Sequence, residues 1–86
     1  MEVKLYGMAL IESRLREIGA TKADLSKKLR LSQSTFQKKC MVPTRFTLGE
    51  VRMISVLLKF TAEEIYNSFI LLDGWPAPKE DKNVDG

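Results

Sequence analysis

The 86-residue sequence contains no histidine and a single cysteine, Cys40. Without histidine the chain lacks the side chain that most often serves as a general base near neutral pH, and the commonest metal ligand. One cysteine excludes an intrachain disulfide. With no histidine to activate it, Cys40 at the end of a short amphipathic stretch reads as a core residue. No glycine-rich phosphate loop is present among the five glycines. The longest apolar run, Met53-Ile54-Ser55-Val56-Leu57-Leu58, is far below the ~20 residues that a bilayer-spanning helix needs. The N-terminus, MEVKLYGMAL, has no basic start followed by a long apolar block, so a secretory signal is not expected. These absences point away from an enzyme, from a cofactor and from a metal site. They leave a cytoplasmic protein with no membrane partner as the default expectation.

Two acidic features invite a chemical reading and do not sustain it. Glu63 and Glu64 are neighbours in sequence, so on a helix they point apart, and the first turn is where carboxylates ease the helix dipole. Asp81-Lys82-Asn83-Val84-Asp85-Gly86 matches the first half of a calcium-binding loop, D-x-N-x-D-G, but the later ligands and the bidentate glutamate do not follow.

What the chain does have is an uneven distribution of charge. Between residues 21 and 52 lie eight basic residues, Lys22, Lys27, Lys28, Arg30, Lys38, Lys39, Arg45 and Arg52, against two acidic ones, Asp24 and Glu50. The rest of the chain carries six basic and nine acidic residues. Such a basic block suits a polyanion-binding face; charge alone is equally compatible with a solvated lysine-rich surface. Apolar residues make up 44% of the chain and charged residues 29%, ordinary values for one globular domain.

Hydrophobic spacing predicts five short helices. Met8, Ile11, Leu15 and Ile18 follow the three-and-four period of a first helix, and Gly19 stands where a helix end favours glycine. Residues 21–40, TKADLSKKLRLSQSTFQKKC, read as two helices with a tight break. Thr21 and Asp24 are spaced as a capping box, Ser32 caps the second helix, and Leu31 with Phe36 can form a hydrophobic staple. Ser26 is a small residue in the middle of the first of these helices. At the break stands Arg30, which lacks glycine's easy left-handed conformation. After Pro43, Thr47-Glu50 and Thr61-Glu64 repeat the capping box, with Phe46-Val51 and Phe60-Ile65 as staples. The fourth helix is expected to bury Leu48, Val51, Ile54 and Leu58, with Leu57 alongside, and the fifth to bury Ile65, Phe69 and Leu72. Tyr66, Ile70, Leu71 and Trp75 exceed what a core stripe requires. They suggest a homodimer through helix 5 and Trp75, the alternative being that the tail folds back and Trp75 covers them. Residues 73–86, with Pro76, Pro78 and the charged end KEDKNVDG, read as a flexible or loosely packed tail.

The order TKADLSKKLRLSQSTFQKK, a proline-containing loop, FTLGEVRMIS and FTAEEI resembles the phage lambda Cro and repressor (XRE-type) family of helix-turn-helix domains. It is most similar to small prophage-encoded regulators sharing the phrases S-x-S-T-F and P-x-x-F-T-L-x-E. The resemblance covers about residues 7–72, so that residues 1–72 would form the DNA-binding domain. It implies an all-α, compact bundle of five short helices, the second and third forming the DNA-reading unit. It also implies operator binding to double-stranded DNA as a dimer and a role as a transcriptional regulator, a repressor in the usual case. Carried over by position, base reading falls on Gln33, Ser34, Gln37 and Lys38, whose chemistry suits it: glutamine can pair bidentately with adenine and lysine favours guanine acceptors. Phosphate contacts fall on Lys22, Ser32, Thr35, Lys39, Thr44 and Arg45, which would position the protein without specifying sequence; Lys27 and Lys28 read as a solvated face. Where some relatives hold an arginine–glutamate pair between helices 1 and 3, this chain has Leu15 and Cys40. The competing expectation is a protein-interaction module that keeps the fold without DNA binding and uses the apolar surface of helix 5.

Overall fold

The computed structural model describes residues 3–76, and among these every regular element is helical. Chain order runs α1 (Gly7–Ile18), α2 (Lys22–Lys28), α3 (Gln33–Met41), a 3-10 turn (Pro43–Arg45), α4 (Leu48–Leu58) and α5 (Ala62–Ile65). The last continues directly into a π-helical turn, Tyr66–Ile70. The partial calcium loop at Asp81–Gly86 and the tail beyond Pro76 lie outside the described residues.

Local chemistry sets the helix starts. Thr21, Thr47 and Thr61 each accept the N–H three residues ahead at 3.1 Å. The carboxylates of Asp24, Glu50 and Glu64 accept the cap N–H in return at 2.9, 2.9 and 2.8 Å. Ser32 accepts from the Thr35 N–H at 3.1 Å. Each cap satisfies N–H groups that the helix leaves without partners, a contribution of about 1 kcal/mol.

Three helix ends share one design, and one of the three uses glycine. After α1, α2 and α4 the chain turns left-handed at Gly19 (φ 70), Arg30 (φ 62) and Lys59 (φ 55). In each case the next N–H reaches back to a carbonyl five residues earlier at 2.9 Å: Ala20 to Leu15, Leu31 to Ser26, and Phe60 to Ser55. This is the Schellman ending, which satisfies the free carbonyls of the last turn. The break between α2 and α3 therefore has the geometry a glycine would give, held by an arginine at a cost of roughly 1 kcal/mol.

The core draws on every helix up to α4. Leu10, Ile11 and Leu15 of α1 meet Leu25 and Leu29 of α2, Phe36 and Cys40 of α3, and Ile54 and Leu58 of α4, with Phe46 and Phe60 from the connections. Leu15 and Cys40 share this apolar core. Arg14 ties three elements together. Its guanidinium donates to the carbonyls of Leu58 and Lys59 at 2.7 and 2.8 Å and to Glu64 at 2.7 Å, closing the end of α4 onto the start of α5.

Three apolar positions depart from the periodic expectation. Leu48 is 88% exposed, because Phe46, one residue ahead of the cap, already fills the core at that end. Ile18 is exposed as the last residue of α1, directly before the left-handed Gly19. Leu72 is exposed as well. The Leu71 N–H bonds to the Tyr66 carbonyl, five residues back, and this wider turn breaks the spacing that would have carried Leu72 to the core side. Leu72 then turns left-handed at φ 60.

Residues 73–75, expected from sequence to begin a loose tail, instead pack onto the fold. Trp75 lies 5.9 Å from the Phe46 ring and 5.7 Å from the Phe69 ring, and its indole N–H donates to the Ser68 carbonyl at 2.7 Å. This segment also completes α1, whose start at Tyr6 has no side-chain cap. The Gly7 N–H donates to the buried Ser68 hydroxyl at 2.8 Å, and the Met8 N–H to the Gly74 carbonyl at 3.1 Å. Gly74 (φ 84) abuts the Tyr6 carbonyl so closely that a Cβ has no room. A side chain at this crossing would push the two backbone segments apart.

Candidate nucleic-acid interface

The candidate site is built on α3. Its two buried residues, Phe36 and Cys40, stand four apart on one side, and Phe36 is fixed edge-on against Phe46 at 6.1 Å. That anchorage leaves Gln33, Ser34, Gln37 and Lys38 exposed. The pairs Gln33–Gln37 and Ser34–Lys38 form two adjacent rows at helical spacing. Burial pushes the Cys40 thiol up to about 12, so it stays neutral and serves as packing.

The cap residue of α3 is itself one of the expected phosphate contacts. The Ser32 hydroxyl accepts from the Thr35 N–H and donates to the Thr35 hydroxyl oxygen at 2.9 Å, which orients both groups together at the exposed helix start. α2 packs against α3, and the 3-10 turn packs against the far end of α3. That turn carries Thr44 and Arg45 to the surface. Lys38 and Arg45 line one shallow depression with Met41 and Val42, so an expected base reader and an expected phosphate contact share a surface.

Lys22 sits elsewhere, in a depression lined by Glu12, Arg16 and Thr21. Its ammonium pairs with Glu12 at 2.8 Å, both side chains being near half exposed. Such a surface pair contributes about 0–1 kcal/mol, so an incoming phosphate can take Glu12's place. Lys39 behaves differently. It is half-buried, pairs with Glu50 at 2.8 Å, and donates more weakly to the Arg45 carbonyl at 3.4 Å. Of the ten positions singled out in the sequence, Lys39 alone is not exposed. Nothing in the sequence pairs it with Glu50, which the capping box at α4 already accounts for.

Glu63 and Glu64 are committed within the fold. Glu63 accepts from the Tyr6 hydroxyl at 3.0 Å and from Lys4 at 3.3 Å, while Glu64 faces Arg14 and Thr61. The two neighbouring carboxylates thus serve different partners. Hydrogen bonding from Tyr6 and the Lys4 charge hold the Glu63 carboxyl below its ordinary value. Among the described residues no cluster of three or more histidine, cysteine, aspartate or glutamate side chains is placed to hold a metal ion, and no helix is long and apolar enough to cross a membrane. Compared with protein-family models, with curated proteins and with solved structures, the chain has no significant match in any of the three.

Proposed function

We propose that this chain binds double-stranded DNA sequence-specifically, as a helix-turn-helix regulator of the lambda Cro and repressor kind, with α2 positioning and α3 reading. One observation supports this above the others. α3 is held from behind by Phe36 and Cys40, and its outward side carries two amides, a hydroxyl and an ammonium. Those groups can address base edges in a major groove, which is wide enough to admit a helix. The left-handed Arg30 supports it, since the α2–α3 break has the tight geometry such a unit requires. The basic block between residues 21 and 52 supplies attraction to the phosphate backbone. Lys22, Ser32, Thr35, Thr44 and Arg45 are its assigned phosphate contacts. A cytoplasmic location and a phage or prophage origin follow from this reading alone.

One observation favours a second role for the segment after α5. Tyr66, Ile70 and Leu71 are each more than half exposed, and a cluster of that kind marks an interface. We assign it to a symmetric dimer that would place two copies of α3 on a two-fold site. A protein-interaction module without DNA binding would use the same cluster. Trp75, occupied against Phe46 and Phe69, is not free to join it.

Selection of bound duplexes from a random pool tests the proposed recognition. A defined consensus is expected. Removing a good base-reading side chain should cost roughly 1–3 kcal/mol, so Gln33→Ala with Lys38→Ala should weaken binding to that consensus by about tenfold or more. Failure of the wild type to enrich any consensus would overturn specific recognition, and an unchanged affinity in the double variant would overturn the assigned readers.

A further inference from the structure

We propose that Lys39 is a positioning residue for α3, fixing its angle through Glu50, and that it makes no phosphate contact of its own. This rests on the DNA-binding reading given above. The geometry is a junction of three elements through one ion pair. Glu50 Oε1 accepts from Lys39 of α3 at 2.8 Å and from the Thr47 N–H at the start of α4 at 2.9 Å. The same ammonium donates to the Arg45 carbonyl in the turn between those helices at 3.4 Å.

Burial separates this pair from the one that Lys22 makes with Glu12. Its side chains are 16% and 15% exposed, against 47% and 40% for Lys22–Glu12. An exposed pair can exchange its carboxylate for a phosphate at little cost, whereas opening a buried one strands a charge. Here the stranded charge would be Glu50, an anion next to the surface that must approach DNA phosphates. Lys39 therefore neutralises Glu50 while holding α3, and both effects disappear if it swings out. The sequence position alone cannot show this, because an exposed lysine at the same place in α3 would reach for the backbone of the duplex.

Salt dependence separates positioning from contact. Each phosphate contact contributes about 0.9 to the slope of log affinity against log salt on duplex DNA. Lys39→Met combined with Glu50→Gln removes both charges and keeps an N3 side chain able to cap α4. At a temperature where this double variant is folded, it is expected to bind bulk DNA with the wild-type slope and to show about tenfold less preference for its selected site. Lys39→Arg, which can keep the pair with Glu50, is expected to restore that preference. A slope reduced by about one with the preference intact would show Lys39 on a phosphate and overturn the proposal. A wild type without salt-dependent DNA affinity would bring down the binding reading, and this proposal with it. If Lys39→Met by itself fails to fold, the double variant and Lys39→Arg carry the comparison.

Discussion

Asp24, Glu50 and Glu63 hold their protons less tightly in the fold than ordinary carboxyls do. For Asp24 the cause is the Thr21 N–H, and for Glu63 the Tyr6 hydroxyl followed by Lys4. At Glu50 burial works the other way and is outweighed by Lys39 and the Thr47 N–H. A lowered folded value means that the unfolded chain binds protons first as the solution is acidified. The stability from these groups is complete above the ordinary glutamate value of 4.5 and is lost as pH falls through the lower folded values. Thermal melts from about pH 7 down to about pH 2 should show a falling midpoint at the acid end. Glu50→Gln, which keeps the cap without the titrating charge, should make that fall shallower. A variant whose acid slope matches the wild type would place the linkage elsewhere.

The π-helical turn after α5 has a structural consequence that one substitution isolates. It brings Ser68 to complete burial, where its hydroxyl accepts the Gly7 N–H at the uncapped start of α1. Ser68→Ala leaves that N–H without a partner, at a cost of about 1–3 kcal/mol. For a domain of this size the melting temperature should drop by roughly 4–8 °C for each kcal/mol. A drop of less than about one degree would show that the helix start satisfies itself another way. This joint also marks where legibility from sequence stops. The starts of α2, α3, α4 and α5 are legible because a capping residue and its partner lie three positions apart, and the polar side of α3 is legible from its period. The turn at Tyr66–Ile70, the exposure of Leu72 and the seating of Trp75 belong to a joint made of contacts far apart in the chain, Gly7 with Ser68, Met8 with Gly74 and Trp75 with Phe46. No local pattern announces such contacts. The pairing of Lys39 is hidden for the same reason: its partner is eleven residues away on another helix.

Across the whole molecule, the basic block lies in the sequence segment that holds α3, and the exposed apolar cluster of Tyr66, Ile70 and Leu71 follows α5. A dimer through that cluster would use none of Gln33, Ser34, Gln37 and Lys38. Sedimentation at micromolar protein should therefore show a dimer that Ile70→Asp converts to monomer, with the monomer keeping its helical spectrum. A wild type that stays monomeric both alone and on DNA would remove the two-fold arrangement while leaving recognition by one α3 in place.

The most direct test of DNA recognition is a salt titration of the wild-type protein on its selected duplex and on bulk DNA between about 50 and 200 mM salt. The proposed phosphate contacts and the proposed reading role of α3 predict that log affinity falls linearly with log salt on both. They also predict a preference for the selected duplex of about a thousandfold or more at physiological salt. Equal affinity for the two duplexes, or no binding at the lowest salt, would contradict recognition through α3.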